Sequence, residues 1–223
     1  MIRKQLYVYH EGAPVEAVIR RYAELDFEGL IDVQRESFPP PFPSDLWWSK
    51  EQLVEHVSRF PEGALCAEIG GRLIGSMTGL IVNMADYGHS HSWETITDNG
   101  FIRNHDRSGD TLYVVDICVI PEYRKSGIGK WLMQTMYETV VHLQLERLLG
   151  GGRMPGYHRY AGEITPENYV SGVLAGKYSD PVLSFLLRCG RTPTGVAANY
   201  LEDEQSCGYA ALMEWRNPFL AAD

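Results

Sequence analysis

The stretch Val114–Met136, VVDICVIPEYRKSGIGKWLMQTM, changes character twice. A β-branched apolar run breaks at Pro121, a short Arg-Lys-Ser-Gly-Ile-Gly turn follows, and apolar residues then return at helical steps. The run begins upstream as TLYVVDICVI (111–120) and is nearly continuous, which suits a central strand covered on both faces. Past the turn, Ile128, Trp131, Leu132, Thr135, Met136, Thr139 and Leu143 recur three and four residues apart, the stripe of an amphipathic helix lying on a sheet. Strand, glycine turn and helix form the first part of a βαβ unit, completed by ERLLGGG (146–152) as the next strand.

The turn has a physical use. A helix N-terminus exposes backbone N–H groups and about half a positive charge, so a turn without side-chain bulk is a socket for phosphate oxygens. Gly127 and Gly129 let a ligand approach the main chain, Ser126 offers a hydroxyl, and Arg124, Lys125 and Lys130 supply charge. The turn is not a Walker A loop, which needs a lysine-serine pair after its glycines, nor a Rossmann turn, which would lie near the chain start with an acidic residue downstream.

The remaining elements can be placed outward from this unit. VEAVIRRYAEL (15–25) reads as a strand, and Asp26 as the N-cap of a helix over FEGLIDVQRESF (27–38) with Leu30, Ile31 and Val33 inward. Prolines in PPPFPSD (39–45) end that helix, and Ser49 caps a second one over KEQLVEHVSRF (50–60). ALCAEI (64–69) and RLIGSMTGLIV (72–82) form a hairpin through Gly70-Gly71. Residues 83–110 read as a long polar loop. An inserted segment at 153–180, rich in Tyr and Gly, precedes a short helix over PVLSFLLRCG (181–190) and two closing strands in TPTGVAANYL (192–201) and GYAALMEW (208–215). This predicts one α/β (α+β) domain over 1–223, a mixed, mostly antiparallel sheet flanked by helices and carrying one βαβ unit.

Composition bounds the function. Of 223 residues, 44% are apolar and 22% charged, as in an ordinary globular chain. The net charge of −9 opposes nucleic-acid binding and mildly favours cationic partners. With no secretory h-region and no membrane-length apolar stretch, the expectation is a cytoplasmic protein without a membrane partner, and a homodimer is allowed. Cys66, Cys118, Cys189 and Cys207 are scattered, with no CxxC pair. His89 and His91 lack a third ligand at a recognisable spacing, so they read as surface histidines and no metal is expected. Trp47 and Trp48 read as core or as the wall of an acceptor site.

Val119, Pro121, Arg124, Gly127 and Gly129, set at fixed steps between an apolar strand and an amphipathic helix, resemble motif A of the GNAT acetyltransferases. The order of elements follows that family over most of the chain. GGRMPGYHRY (151–160) and YAALMEWRNP (209–218) also resemble the acetyltransferase module sometimes fused to carbon-nitrogen hydrolases, although these 223 residues carry no hydrolase segment. The resemblance implies that Arg124, Lys125, Ser126, Gly127, Ile128, Gly129 and Lys130 hold the diphosphate of acetyl-CoA. It further implies that Ile117, Cys118 and Val119 line the pantetheine, with the main chain near Val119 donating to the oxyanion, and that a primary amine of a small molecule or peptide attacks the thioester directly.

Such a reaction needs a base. The family's central-strand positions are occupied by Tyr113 and Val115, neither an obvious one. Asp116 is the only carboxylate in the strand, and alternation turns it to the opposite face unless a bulge intervenes; a buried, paired carboxylate is the other reading. Glu94 and His105 on the preceding loop could reach a cleft or simply be solvated. Where relatives place an acid tyrosine on the late helix, this chain has Leu186, beside Phe185. Tyr157, His158 and Tyr160 could substitute or could only pack their loop. An alternative to an enzyme is a non-catalytic acyl-CoA-binding sensor, and longer acyl chains would require only a wider channel beyond Val119.

Overall fold

The computed structural model describes residues 2–88 and 90–220, so His89 lies outside the described residues. Eight strands form one sheet: β1 (Arg3–His10), β2 (Ala13–Arg21), β3 (Ala64–Ile69), β4 (Arg72–Val82), β5 (Thr111–Val119), β6 (Arg147–Arg153), β7 (Thr192–Ala197) and β8 (Ala210–Arg216). Their spatial order is β1-β2-β3-β4-β5-β6-β8-β7, antiparallel throughout except for β5 beside β6. The helices are α1 (Phe27–Ser37), α2 (Lys50–Arg59), α3 (Trp93–Thr97), α4 (Ile128–His142), α5 (Pro166–Leu174) and α6 (Pro181–Arg188).

Adjacent residues of β5 show how the layers stack. Cys118 meets Gln34 of α1, whereas Val119 lies beside Gly129 of α4, so α1 and α4 cover opposite faces of the strand. The central strand is buried from Thr111 to Val115, as its continuous apolar run requires.

Three segments depart from the sequence-based expectation. The extra edge strand β1 pairs with β2 around Glu11-Gly12, both at positive φ (48° and 81°). Its polar sequence RKQLYVYH buries only Val8, and Glu11 is an unusual residue for such a turn, so neither signal is visible from the chain. Residues 83–110 are not a solvated loop: α3 interrupts them, Trp93, Ile96 and Ile102 are core, and His91, expected at the surface, is 4% exposed. The Trp93 indole N–H donates to the Val115 carbonyl at 3.0 Å, docking this segment on the central strand. The inserted segment contains α5 and a packed group of Tyr157, Tyr160, Tyr169 and Tyr178 rings.

The helix caps are mostly as expected. Ser49 Oγ accepts from Gln52 N–H at 3.2 Å while the Gln52 side chain accepts from Ser49 N–H at 2.8 Å. Asp26, by contrast, does not cap α1. Its carboxylate accepts both guanidinium ends of Arg20, at 2.7 and 2.8 Å, together with Ala23 N–H at 2.8 Å.

A buried polar cluster ties β2, β4 and α2 to the segment before β5. Tyr22 Oη lies 2.9 Å from His56 Nδ1 and 3.0 Å from Thr78 Oγ1, and His56 Nε2 lies 2.6 Å from the Gly100 carbonyl. Burial pushes the His56 ring down to about 4 from 6.5. As pH falls, the unfolded chain therefore takes up this proton first, and the stability His56 contributes is full above 6.5 and drains away between 6.5 and 4. We expect the loss of unfolding free energy between pH 7 and pH 5 to be smaller in His56→Gln than in the parent, measured by urea titration; an equal loss would contradict this role.

Candidate active site

The site begins where the sheet splits. β5 pairs with β6 only from Thr111–Arg147 to Tyr113–Leu149. Beyond that point β6 stays on β8 and β5 stays on β4, so the strand edges between them are free. On the β4 side, Thr78 faces Asp116 and Gly79 faces Val114, leaving Val115 as an unpaired extra residue. A bulge of this kind bends its strand and raises the local twist, which carries the second half of β5 away from β6.

The bulge also resets which face each side chain takes. Strict alternation would put Tyr113 and Asp116 on opposite faces. Instead, Asp116 Oδ2 accepts from Gln34 Nε2 of α1 at 2.8 Å. Tyr113 meets Tyr200, whose ring fills the space a side chain at Gly151 would need. Arg153, two residues on from Gly151, stacks its guanidinium over Phe42, which stacks on Phe38 just after α1. Tyr113 and Asp116 thus share the α1 side, and the condition that the sequence reading set for Asp116 is met.

On the other face the glycine turn opens α4. Gly127 is its N-cap at φ 98°, with no side-chain cap and open space where a Cβ would stand. Of the amides that follow, Ile128 N–H donates to Ser126 Oγ at 3.4 Å, and Lys125 and Lys130 flank this first turn in exposed positions. Arg124 is committed to shaping the turn: it donates to the carbonyls of Val119 (3.1 Å) and Ser37 (2.8 Å), tying the turn to the end of α1. Ser126 Oγ donates to the Tyr123 carbonyl at 2.7 Å. Gly129 has a second reason to lack a side chain, because a Cβ there would stand 3.1 Å from the Phe185 ring of α6.

From this turn the unpaired stretch of β5 runs inward past Val119 and Ile117 to the last β5–β6 pair. Gly150, Gly151 and Gly152 form the matching stretch of β6, and a Cβ at each would meet Val114, Tyr200 and Leu186 within 3.0 Å. The triplet lets these neighbours close on the strand, and Leu186, a core residue, packs directly against Gly152.

Electrostatics single out Asp116. Burial pushes its carboxyl up to about 7 from 3.8, against the hydrogen bonds of Cys118 and Gln34. A group poised near neutrality on a partly buried strand can hold or release a proton at working pH.

The other residues singled out in the sequence are placed as follows. His105 Nδ1 accepts from Ile81 N–H at 3.0 Å and its ring stacks on Phe60, with burial pushing it down to about 4. Glu94 lies in the first turn of α3. Tyr157 donates to the Ile164 carbonyl at 3.0 Å inside the tyrosine group. His158 is exposed, with Nδ1 2.8 Å from the Pro155 carbonyl. Trp48 is core and packs edge-on against His56. Among the described residues no group of three His, Cys, Asp or Glu is placed to hold a metal, and no helix is long and apolar enough to cross a membrane.

Sequence reasoning missed Gln34, Arg153 and Tyr200. Gln34 left a signal, a polar residue inside the buried stripe of Leu30, Val33 and Ser37. Arg153 and Tyr200 left none, since their partners Asp203 and Tyr113 are distant in the chain.

The model of the acetyltransferase (GNAT) family matches residues 27–153. The uncharacterized N-acetyltransferase YkwB of Bacillus subtilis (strain 168) is 59% identical over 220 residues, covering 98% of this chain and 97% of that protein. The probable hydrolase YhcX of the same organism is 41% identical over 201 residues, covering 90% of this chain but only 38% of that protein. This chain is therefore similar to one part of a longer protein carrying a hydrolase name, in line with the likeness read from its sequence. A solved structure described as the GphF GNAT-like decarboxylase in complex with isobutyryl-CoA superposes with a TM-score of 0.73 at 24% identity, covering 89% of this chain and 98% of that one. On the family match and the full-length relative, the chain belongs to the GNAT acetyltransferase family.

Proposed function

We propose that this chain transfers the acetyl group of acetyl-CoA to a primary amine of a small molecule or peptide by direct attack. The observation that carries this reading is the split between β5 and β6, which joins an uncapped glycine turn on one face to Asp116 on the other. In this reading the diphosphate lies on the first-turn amides of α4, with Lys125 and Lys130 as counter-charges and Arg124 holding the turn. The pantetheine follows the freed edge of β5 past Ile117, Cys118 and Val119, and a main-chain amide of that edge donates to the oxyanion.

The amine enters from the α1 side. A lysine-like amine of pKa ~10.4 is unprotonated in only about one molecule in a few thousand at pH 7, a cost of roughly 4 to 5 kcal/mol. Asp116 as base offsets part of this by taking the amine proton as the C–N bond forms. Gln34 orients its carboxylate. The net charge of −9 supports acceptors that are themselves cationic. Free cysteines and the need for acetyl-CoA favour the cytoplasm.

Three variants and a pH profile check this reading. Lys130→Glu puts a negative charge beside the diphosphate on an exposed position, and we expect about tenfold weaker coenzyme A binding by calorimetry with an unchanged melting temperature; unaltered affinity would contradict the placement. For the base, we expect kcat/KM to rise with pH through about 7, and Asp116→Asn to lower it by ~10²–10⁴-fold with coenzyme A affinity retained. Gln34→Leu removes a donor to the charged carboxylate and should move the rising limb to higher pH. If Asp116→Asn keeps full turnover, as followed by coenzyme A release with an amine panel, Asp116 is not the base. Acetyl-CoA binding without release of coenzyme A across the panel would favour a sensor instead.

A further inference from the structure

Arg191, the residue after Gly190 at the end of α6, is 2% exposed. Its guanidinium donates to the Met213 carbonyl and lies 3.5 Å from the Gly150 carbonyl, while Nε has no partner. Among the described residues it joins no ion pair. The titratable groups that feel its charge are Tyr137, Tyr113, Cys189 and Tyr200, and burial holds each of them in its neutral form at pH 7. Its own pKa is pushed down by burial to about 10, which leaves it charged. A buried cation without an anion is costly, and at low dielectric its field reaches further than in water.

Its location is specific. Val114 and Gly150 are the first residues past the last β5–β6 pair, and a Cβ at Gly150 would stand 3.0 Å from Val114 Cβ and 3.4 Å from an Arg191 terminal nitrogen. On the same face of β6, Gly152 meets Leu186 and Leu183, and at the glycine turn Val119 and Phe185 flank Gly129. The guanidinium therefore lies against β6 on the α6 side, where the split between β5 and β6 begins. From Val119 back to Val114 the strand rises roughly 16 Å at ~3.3 Å per residue, comparable to an extended pantetheine arm.

We propose that Arg191 supplies the positive field that stabilises the coenzyme A thiolate as it leaves, acting across the backbone of β6 without touching the sulfur. This rests on the acyl-CoA reading above. When the tetrahedral intermediate collapses, the C–S bond breaks, the sulfur keeps the electron pair, the carbonyl re-forms on the acetylated amine, and the amine proton resides on Asp116. The thiolate then needs stabilisation on the α6 side of the split, where the late helix carries Leu186 and no hydroxyl acid. A fixed charge meets that need, and the thiolate in turn supplies the anion that Arg191 lacks.

The test is the titration of the thiol of bound coenzyme A, followed by ultraviolet thiolate absorbance in the binary complex. We expect the bound thiol to titrate about one unit below free coenzyme A, roughly a tenfold gain in thiolate near neutrality. R191K should keep most of the shift. R191M removes an unpartnered buried cation, should stay folded by circular dichroism, should still bind coenzyme A, and should lose the shift. A bound thiol titrating like free coenzyme A in the parent protein overturns the proposal whatever the variants do, as does an equal shift in R191M. Failure of the parent to bind coenzyme A would instead remove the acyl-CoA reading and this inference with it.

Discussion

The architecture depends on one irregularity, the extra residue at Val115. Backbone amides in a sheet interior are consumed by their neighbours and have nothing left for a ligand. By bending β5, the bulge frees its second half from β6 while β4 still holds it, so the strand stays rigid and keeps an open edge. The same bulge turns Asp116 to the α1 side. One inserted residue thus opens the strand edge and turns a carboxylate to the α1 side.

What surrounds the split keeps it from collapsing. Three glycines on β6 admit Val114, Tyr200 and Leu186 to close packing, so this strand is closely packed on both faces. Arg124 ties the turn to the end of α1, and the Trp93 indole pins the 83–110 segment to the Val115 carbonyl. That bond satisfies a carbonyl at the bulge itself, where the ladder is interrupted. A polar line also runs beneath the site, with His91 Nε2 2.8 Å from Tyr113 Oη and Tyr113 Oη 2.8 Å from Tyr200 Oη. These contacts hold backbone and side chains in place before any ligand arrives, the condition under which aligned donors act on a developing charge without reorganising.

Much of this was legible in the sequence. The continuous apolar run of β5, the stripe of α4 and the Gly70-Gly71 hairpin are local patterns with one dominant reading, and they placed the strand, turn and helix of the βαβ unit. The legible part ends where long-range contact decides. The bulge leaves no mark in VVDIC, because it arises from register against β4. The packing of 83–110 was hidden by its polar composition, since a few buried residues, Trp93, Ile96 and Ile102, anchor a segment that is otherwise hydrophilic. Arg124 and Gly129, which the resemblance assigns to the diphosphate, also build the turn through their contacts to Ser37 and Phe185. Asp116 could be nominated from its isolation in an apolar strand, but its direction required the structure.

The central claim is that the split strand edge and the uncapped turn together hold an acyl-CoA. It is tested most directly by the crystal structure of the chain with acetyl-CoA bound. The expected result is the diphosphate on the amides that follow Gly127 and the pantetheine along Ile117, Cys118 and Val119, with the acetyl carbon between Val114 and Asp116. Coenzyme A seated on another surface, or a split filled by side chains with the ligand excluded, would contradict it.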